Sequence, residues 1–396
     1  MNEVDLHSRS RLAGYQPELL FNAVVLIVGA GALGQNLALD LALAGVGELE
    51  IVDFDSFEAH NATRSPLYPT AAEQARWGCE KAPVVSRKLL PLMTAPSPRI
   101  RYAAAPIQSL GELPLLRAQI VFSAVDNLAA RAYLTERCHL LHRPLIEGGF
   151  HGEMMNLTVF GPQSHEPCYR CLNPRKSGAF SCTQYALQAE AQHIIPAIQN
   201  TATALAGFQA EAGIQWLHGE QFLRNKAVYV NIREMKMRAV EISKDPDCPG
   251  IHWEHFNEPL PLGVAADQHL AHLLAAAEGL VGPATLRFPD PVVVRIGCTR
   301  CGTVVDAFVP EWAWLRSPRC TACGGPFKHA ASGASLESKE YIHTREQHEL
   351  LSYPCAALGM PAGAVVEIWP DTPHPTFGPL CLVQLQGTIQ QVMHMA

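Results

Sequence analysis

The strongest hydrophobic pattern in the chain lies between Val24 and Arg64. Val24-Val25-Leu26-Ile27-Val28 is an unbroken apolar run rich in β-branched residues, which predicts a short strand buried on both faces of a parallel sheet. Gly29-Ala30-Gly31-Ala32-Leu33-Gly34 follows at once. A helical pattern then runs from Leu33 to Ala44 and is closed by Gly45. A second strand, Leu49-Glu50-Ile51-Val52, ends in Asp53. Strand, glycine turn, helix, strand and acid in this order are the βαβ nucleotide-binding fingerprint. Gly29, Gly31 and Gly34 permit the tight turn and a close approach of backbone to a phosphate. The helix start offers that phosphate free N–H groups and a positive dipole end. Asp53 stands nineteen residues past Gly34, a spacing that suits a carboxylate on ribose hydroxyls.

The pattern continues on both sides. Residues 1–22 read as short amphipathic helix. Ala71 to Leu92 reads as helix around Lys81, with a break or a start at Pro83. Ile120-Val121-Phe122-Ser123-Ala124-Val125 is a further apolar strand and ends in Asp126-Asn127. Leu145 to Gly149 and Leu157 to Phe160 read as strands meeting near the site. The pair Gly148-Gly149 either brings backbone close to a substrate or makes an ordinary hairpin turn. A long helix is expected over Ile195 to Leu217. Its small residues around Ala206-Gly207 suit a dimer seam or plain core packing equally. Beyond it, Ala266 to Leu274 reads as helix and Leu286 to Ile296 as strands. Apolar runs ending at Ile368 and at Leu385 predict a small α/β or β unit.

Composition narrows the class. The 396 residues suggest two or three domains, and 48% hydrophobic against 17% charged residues is enough for large cores. A net charge of −7 without Lys/Arg blocks argues against a nucleic-acid surface. The start of the chain shows no signal pattern, and no apolar run reaches the length of a membrane span, so a cytoplasmic, non-membrane protein is expected. The twelve cysteines are then expected as thiols, metal ligands or nucleophiles.

Charged residues near the glycine turn select the nucleotide. Arg64 and Lys81 suit a triphosphate better than a dinucleotide, because they can neutralise a leaving pyrophosphate. Asp126, at the carboxyl end of another strand, can hold Mg²⁺ there. Far downstream, Cys298-Thr-Arg-Cys301-Gly and Cys320-Thr-Ala-Cys323-Gly are two knuckles separated by eighteen residues. That spacing predicts a zinc ribbon.

Gly-x-Gly-x-x-Gly, Val52-Asp53-Phe54-Asp55, Asn61-x-x-Arg64, Lys81 and Asp126-Asn127-x-x-x-Arg131 together resemble the ubiquitin-activating enzyme superfamily. That superfamily includes the ThiF, MoeB and HesA adenylyltransferases that activate sulfur carriers in molybdopterin and thiamin synthesis. The resemblance covers roughly residues 5 to 252. It implies that Asp53 holds ribose, that Asn61, Arg64 and Lys81 contact phosphates, and that Asp126, beside Asn127, coordinates Mg²⁺. Asp55 belongs to the same cofactor set. The resemblance also implies a homodimer in which an arginine before the first strand enters the partner's ATP site. His7-Ser8-Arg9-Ser10 occupies that place, which points to Arg9, with Arg11 two residues on.

In the resembling enzymes a second Cys-x-x-Cys completes a zinc knuckle begun by the first. Here Cys168 and Cys171 form the first pair, and Cys248 with His252 stands where the second is expected. A structural Cys₃His zinc site, or a site that has lost its metal, are the two outcomes. Cys182 occupies the stretch that carries a catalytic cysteine in those enzymes, and a thiolate suits attack on an acyl-adenylate.

The fold expected is therefore α/β. Residues 1–252 form a Rossmann-like ATP-binding adenylation domain with a zinc knuckle. Residues 253–396 follow, with a C-terminal zinc ribbon at about 286–330 and a small α/β or β tail unit. The activity implied is ATP-, Mg²⁺- and Zn²⁺-dependent activation of the C-terminal glycine of a ubiquitin-like protein. Adenylation is followed by a thioester on Cys182 and transfer to a conjugating enzyme, as in bacterial antiphage systems. The alternatives are a sulfur-carrier adenylyltransferase, a zinc-containing NAD-dependent dehydrogenase and a scaffold subunit without catalysis.

Overall fold

The computed structural model describes residues 5–126, 128–172, 198–248, 250, 252, 258–298, 300–314, 319–320, 322–325, 336–372 and 378–396. The chain divides into two compact units. One is Met1–Ile107, Pro114–Glu254 and Met393–Ala396; the other is Gln108–Leu113 and His255–Val392.

The first unit is built on one twisted sheet. Its strands are β1 (Val24–Val28), β2 (Glu48–Val52), β3 (Arg99–Ala103), β4 (Ile120–Ser123), β5 (Leu145–His151), β6 (Met154–Phe160), β7 (Lys226–Asn231) and β8 (Lys236–Glu241), lying in the order β3-β2-β1-β4-β5-β6-β7-β8. β1 to β5 pair in parallel, and β6, β7 and β8 run antiparallel. In β1 every residue after Val24 is buried, as a strand sandwiched between helices requires. Helix α1 (Ser8–Leu12) and α2 (Pro17–Phe21) precede β1, and α3 (Ala32–Ala44) follows it. Gly45 ends α3 in the left-handed region, φ +100°, and its N–H returns to the Ala42 carbonyl.

The helix expected over residues 71–92 is two helices. α4 (Ala71–Trp77) opens with a reciprocal cap between Thr70 and Glu73 and stops at Gly78, φ +82°. α5 (Lys81–Leu89) then begins at Lys81. The break falls at Gly78, and Pro83 marks a helix start: it sits in the first turn of α5, where no helical acceptor awaits an N–H. α6 (Leu113–Arg117) and α7 (Leu128–Leu140) flank β4 in sequence, and α8 (Gln199–Leu217) is the long helix. The small residues of α8 go into the core. Ala202, Ala206, Ala210 and Gly213 are buried, and a Cβ on Gly213 would lie 2.3 Å from Phe122 Cζ.

The second unit has its own sheet and core. β9 (Leu260–Ala265), α9 (Leu270–Val281), β10 (Ala284–Gly297), β11 (Val304–Pro310), β12 (Leu336–His343), β13 (Val365–Pro370) and β14 (Cys381–Gln386) form a sheet in the order β11-β10-β13-β14-β9, with β12 also on β10. The strands expected over 286–296 are one long strand, β10. Leu273 and Leu274 of α9 pack on Leu286, Val292, Val366 and Val383 of this sheet. β15 (His394–Met395) returns to the first unit and pairs antiparallel with β3, which makes that sheet nine-stranded. Among the described residues no helix is long and apolar enough to cross a membrane.

Candidate nucleotide site and metal centres

The turn after β1 is set by its glycines. Gly29 has φ +102°, and a Cβ there would stand 2.5 Å from the Ala124 carbonyl oxygen at the end of β4. A Cβ on Gly34 would stand 1.8 Å from the Gly29 carbonyl oxygen, so α3 can pack this close to the turn only without one. Gly31 is different: nothing lies within 4 Å of its would-be Cβ. Its backbone faces open space at the start of α3, where a phosphate would approach.

Asp53 closes the turn from below. Its Oδ2 accepts the Ala30 N–H at 2.6 Å and its Oδ1 accepts the Asp55 N–H at 2.7 Å. Burial raises the Asp53 carboxyl above the usual range, opposed by the charge of Lys81 and by these two N–H groups. Each oxygen keeps a further lone pair, so the carboxylate can accept ribose hydroxyls while holding the loop.

Lys81 is the first residue of α5. Its N–H donates to the Asp55 carbonyl at 2.8 Å and its Nζ pairs with Asp55 Oδ2 at 3.1 Å. Asp55 thus anchors the lysine beside the turn. Arg64 donates Nη1 to the His60 carbonyl at 3.0 Å and pairs with no carboxylate among the described residues. Asn61 is buried, and its Oδ1 accepts the Glu58 N–H at 2.9 Å. The structure gives it the local task of capping the turn that leads to Arg64, a task the spacing alone does not show.

Asp126 follows β4 and is exposed. Arg131 of α7 holds the backbone beside it, donating Nη2 to the Val125 carbonyl at 2.8 Å and pairing with Glu147. Glu147 is fully buried in β5, takes a second bond from Asn156 Nδ2 at 3.2 Å, and has its carboxyl pushed up by burial against the Arg131 charge. Gly148-Gly149 is neither turn nor open backbone. It lies inside β5, where a Cβ on Gly148 would stand 2.6 Å from Gln209 and one on Gly149 2.8 Å from Arg131 Nη1. The turn between β5 and β6 falls at Gly152 instead, φ +59°. Glu147 and Gln209 were missed by sequence reasoning; the one signal was an acid in an otherwise apolar strand.

Two arginines precede β1. Arg11 pairs with Asp5 at 2.6 Å and with Glu18, whereas Arg9 is exposed and has no ion-pair partner among the described residues. Asn127 and Cys182 lie outside the described residues.

The cysteines gather into two clusters. Cys168, Cys171, Cys248 and His252 bring one ligand atom each to within 4.8 Å of one another. Cys168 Sγ lies 3.9 Å from Cys171 Sγ and 3.6 Å from Cys248 Sγ, and His252 Nε2 lies 3.3 Å from Cys171 Sγ. His252 Nδ1 is 2.9 Å from the Ser164 carbonyl, which fixes the ring and leaves Nε2 as the ligand atom. Three sulfurs and one imidazole suit tetrahedral zinc with no open position. Cys298, Cys301, Cys320 and Cys323 form the second cluster. Cys298 Sγ is 3.8 Å from Cys323 Sγ, and Cys301 Sγ is 3.6 Å from Cys320 Sγ. The knuckles match: Gly302 donates N–H to the Cys298 carbonyl at 2.9 Å and Gly324 to the Cys320 carbonyl at 2.8 Å. Both glycines have positive φ, +72° and +64°. Their N–H groups close the turns, and the next N–H groups, of Thr303 and Gly325, turn to Cys301 and Cys323.

A mixed sheet whose strands β3-β2-β1-β4-β5 run parallel, with a glycine turn after β1 and an acid after β2, defines a Rossmann-like nucleotide fold. The ThiF family model matches residues 10–250, and the chain belongs to the ThiF family. It is 31% identical over 242 residues to a sulfur carrier protein adenylyltransferase of Thermus thermophilus, covering 59% of this chain and 83% of that protein. It is 36% identical over 163 residues to the adenylyltransferase and sulfurtransferase MOCS3 of Drosophila willistoni, covering 41% of this chain and 34% of that one. The chain therefore spans about a third of the fly relative's length. The crystal structure of E. coli MccB with ATP superposes with a TM-score of 0.50 at 22% identity, covering 62% of this chain and 73% of that chain, a likeness of fold.

Proposed function

We propose that this chain uses ATP to adenylate the C-terminal carboxylate of a small carrier protein. The observation that carries the reading is the placement of Lys81, anchored by Asp55, beside a glycine turn whose acid, Asp53, already holds the loop. In the reaction a carboxylate oxygen of the carrier bonds to the α-phosphorus. The bond to the bridging oxygen breaks, and pyrophosphate leaves with the electron pair. Lys81 and Arg64 stabilise the charge that develops on the leaving group, and the N–H groups at the start of α3 hold phosphate oxygens. Asp53 orients the ribose. Asp126, at the strand end, would hold Mg²⁺, which when bound neutralises phosphate charge. The role of these groups is positioning and electrostatics, as phosphoryl and nucleotidyl chemistry demands.

The relatives named above support the sulfur-carrier form of this activity ahead of the conjugation form. In the conjugation form Cys182 Sγ attacks the acyl-adenylate, a thioester forms, AMP leaves, and a conjugating enzyme receives the acyl group. Intact mass spectrometry under non-reducing conditions separates the two. The protein is mixed with Mg-ATP and small proteins ending in glycine, with Cys182→Ala alongside. Carrier-AMP without an adduct supports the sulfur-carrier form. A thiol-sensitive adduct of one carrier mass, absent in the variant, supports thioester transfer. Binding of NAD in place of ATP, with no carrier-AMP from any candidate, would overturn the adenylation reading.

A further inference from the structure

Gln35 follows the last glycine of the turn and is fully buried. A buried amide must place both its ends, and this one bridges two loops. Its Nε2 donates to the Ala30 carbonyl at 2.9 Å and to Ser65 Oγ at 3.3 Å. Its Oε1 accepts the Leu67 N–H at 3.1 Å. Ala30 lies inside the glycine turn, and Ser65 and Leu67 directly follow Arg64. We propose that Gln35 is the positioning residue that holds the glycine turn and the Arg64 loop in register for the triphosphate of ATP. This rests on the nucleotide reading above.

The geometry specifies how. Ala30 is gripped from both sides, its N–H by Asp53 and its carbonyl by Gln35. The peptide between Ala30 and Gly31 is trans and planar, so a carbonyl held toward Gln35 turns the Gly31 N–H the opposite way. That N–H meets no acceptor among the described residues, and the would-be Cβ of Gly31 faces open space. Gln35 thereby sets the direction of a donor that a phosphate oxygen would receive. The other end acts on Arg64. Asn61 accepts the Arg64 N–H on its carbonyl at 3.0 Å, and Gln35 fixes Ser65 and Leu67 on the far side. The backbone of Arg64 is held before and after, while its guanidinium keeps no carboxylate partner among the described residues.

The test compares the whole nucleotide with its uncharged part. Gln35→Met keeps the side-chain volume and removes the amide. Its dissociation constants for Mg-ATP and for adenosine are measured by calorimetric titration beside wild type. Loss of the bridge is expected to weaken ATP about tenfold and adenosine less than about threefold, since only the phosphates meet the misplaced donors. Equal weakening of both ligands would mark Gln35 as merely structural and overturn the proposal, as would an unchanged ATP constant. If Gln35→Met fails to fold, Gln35→Asn replaces it: that variant is uncharged and one methylene too short to bridge both loops, and the same ATP-selective loss is expected. Wild-type protein that binds no ATP would overturn the nucleotide reading itself, an outcome separate from the other two.

Discussion

Glu50 shows how a single buried carboxyl can carry a pH dependence. It sits in β2 with no exposure, and Arg117 Nε reaches its Oε1 at 2.8 Å while Oε2 has no partner among the described residues. Burial, opposed by Arg117, pushes its pKa up to about 7 from an ordinary carboxyl value of 4.5. The folded state therefore keeps a proton that the unfolded state gives up between those pH values. Stability from this group is present below about pH 4.5 and is lost as pH rises through 7, by on the order of 3 kcal/mol. Glu50→Gln should melt higher than wild type at pH 8 and about equal to it at pH 5. Equal melting temperatures at both values would remove Glu50 as the cause. Such residues are hard to read from sequence. Asp53 and the three glycines were legible because their neighbours lie within a few tens of residues and the turn dictates their identity. Gln209 was not, because it reaches the Ser123 and Ile146 carbonyls from 86 and 63 residues away, and Glu147 was not, because no turn dictates that Arg131 and Asn156 meet it.

At the level of elements, the glycine turn contains two opposite kinds of glycine. Gly34 is required by the fold, since its Cβ would strike backbone. Gly31 has φ −75° and free space around it, so the fold tolerates a side chain there. Gly31→Ala should keep the melting temperature of wild type within about 2 °C and lose ATP binding at least tenfold, since the new methyl stands where a phosphate comes close. A variant that binds ATP normally would place the phosphates elsewhere. The element pattern itself was largely legible. β1, α3, β2 and β4 stand within one or two residues of their expected bounds, because period and caps are local signals. Gly148-Gly149 reads in the sequence as either backbone close to a substrate or a hairpin turn, and the strand it lies in is tight there because Gln209 and Arg131 press on it. Of the break or start expected at Pro83 the structure has the start, since a proline in the first turn is harmless, and the break before it is at Gly78, whose φ is positive.

For the whole molecule, the two ligand clusters predict metal content, and the resemblance that places Arg9 in a partner's ATP site predicts a dimer. Native mass spectrometry of the purified protein reads both together. About two zinc ions per chain are expected, falling to about one in Cys320→Ser, with a dimer as the main species. A metal-free monomer would remove both the zinc reading and the shared site. β15 pairs with β3 from the far end of the sequence. The ribosome releases β3 about 290 residues before it releases His394. At ordinary elongation rates the flank of β3 waits roughly 15 to 60 s for its own chain to cover it. A nascent sheet with a bare flank invites other nascent chains to join it. Arg99 and Arg101 of β3, both paired with Glu48, put positive charge on that strand, and charge on an edge strand discourages pairing with other chains.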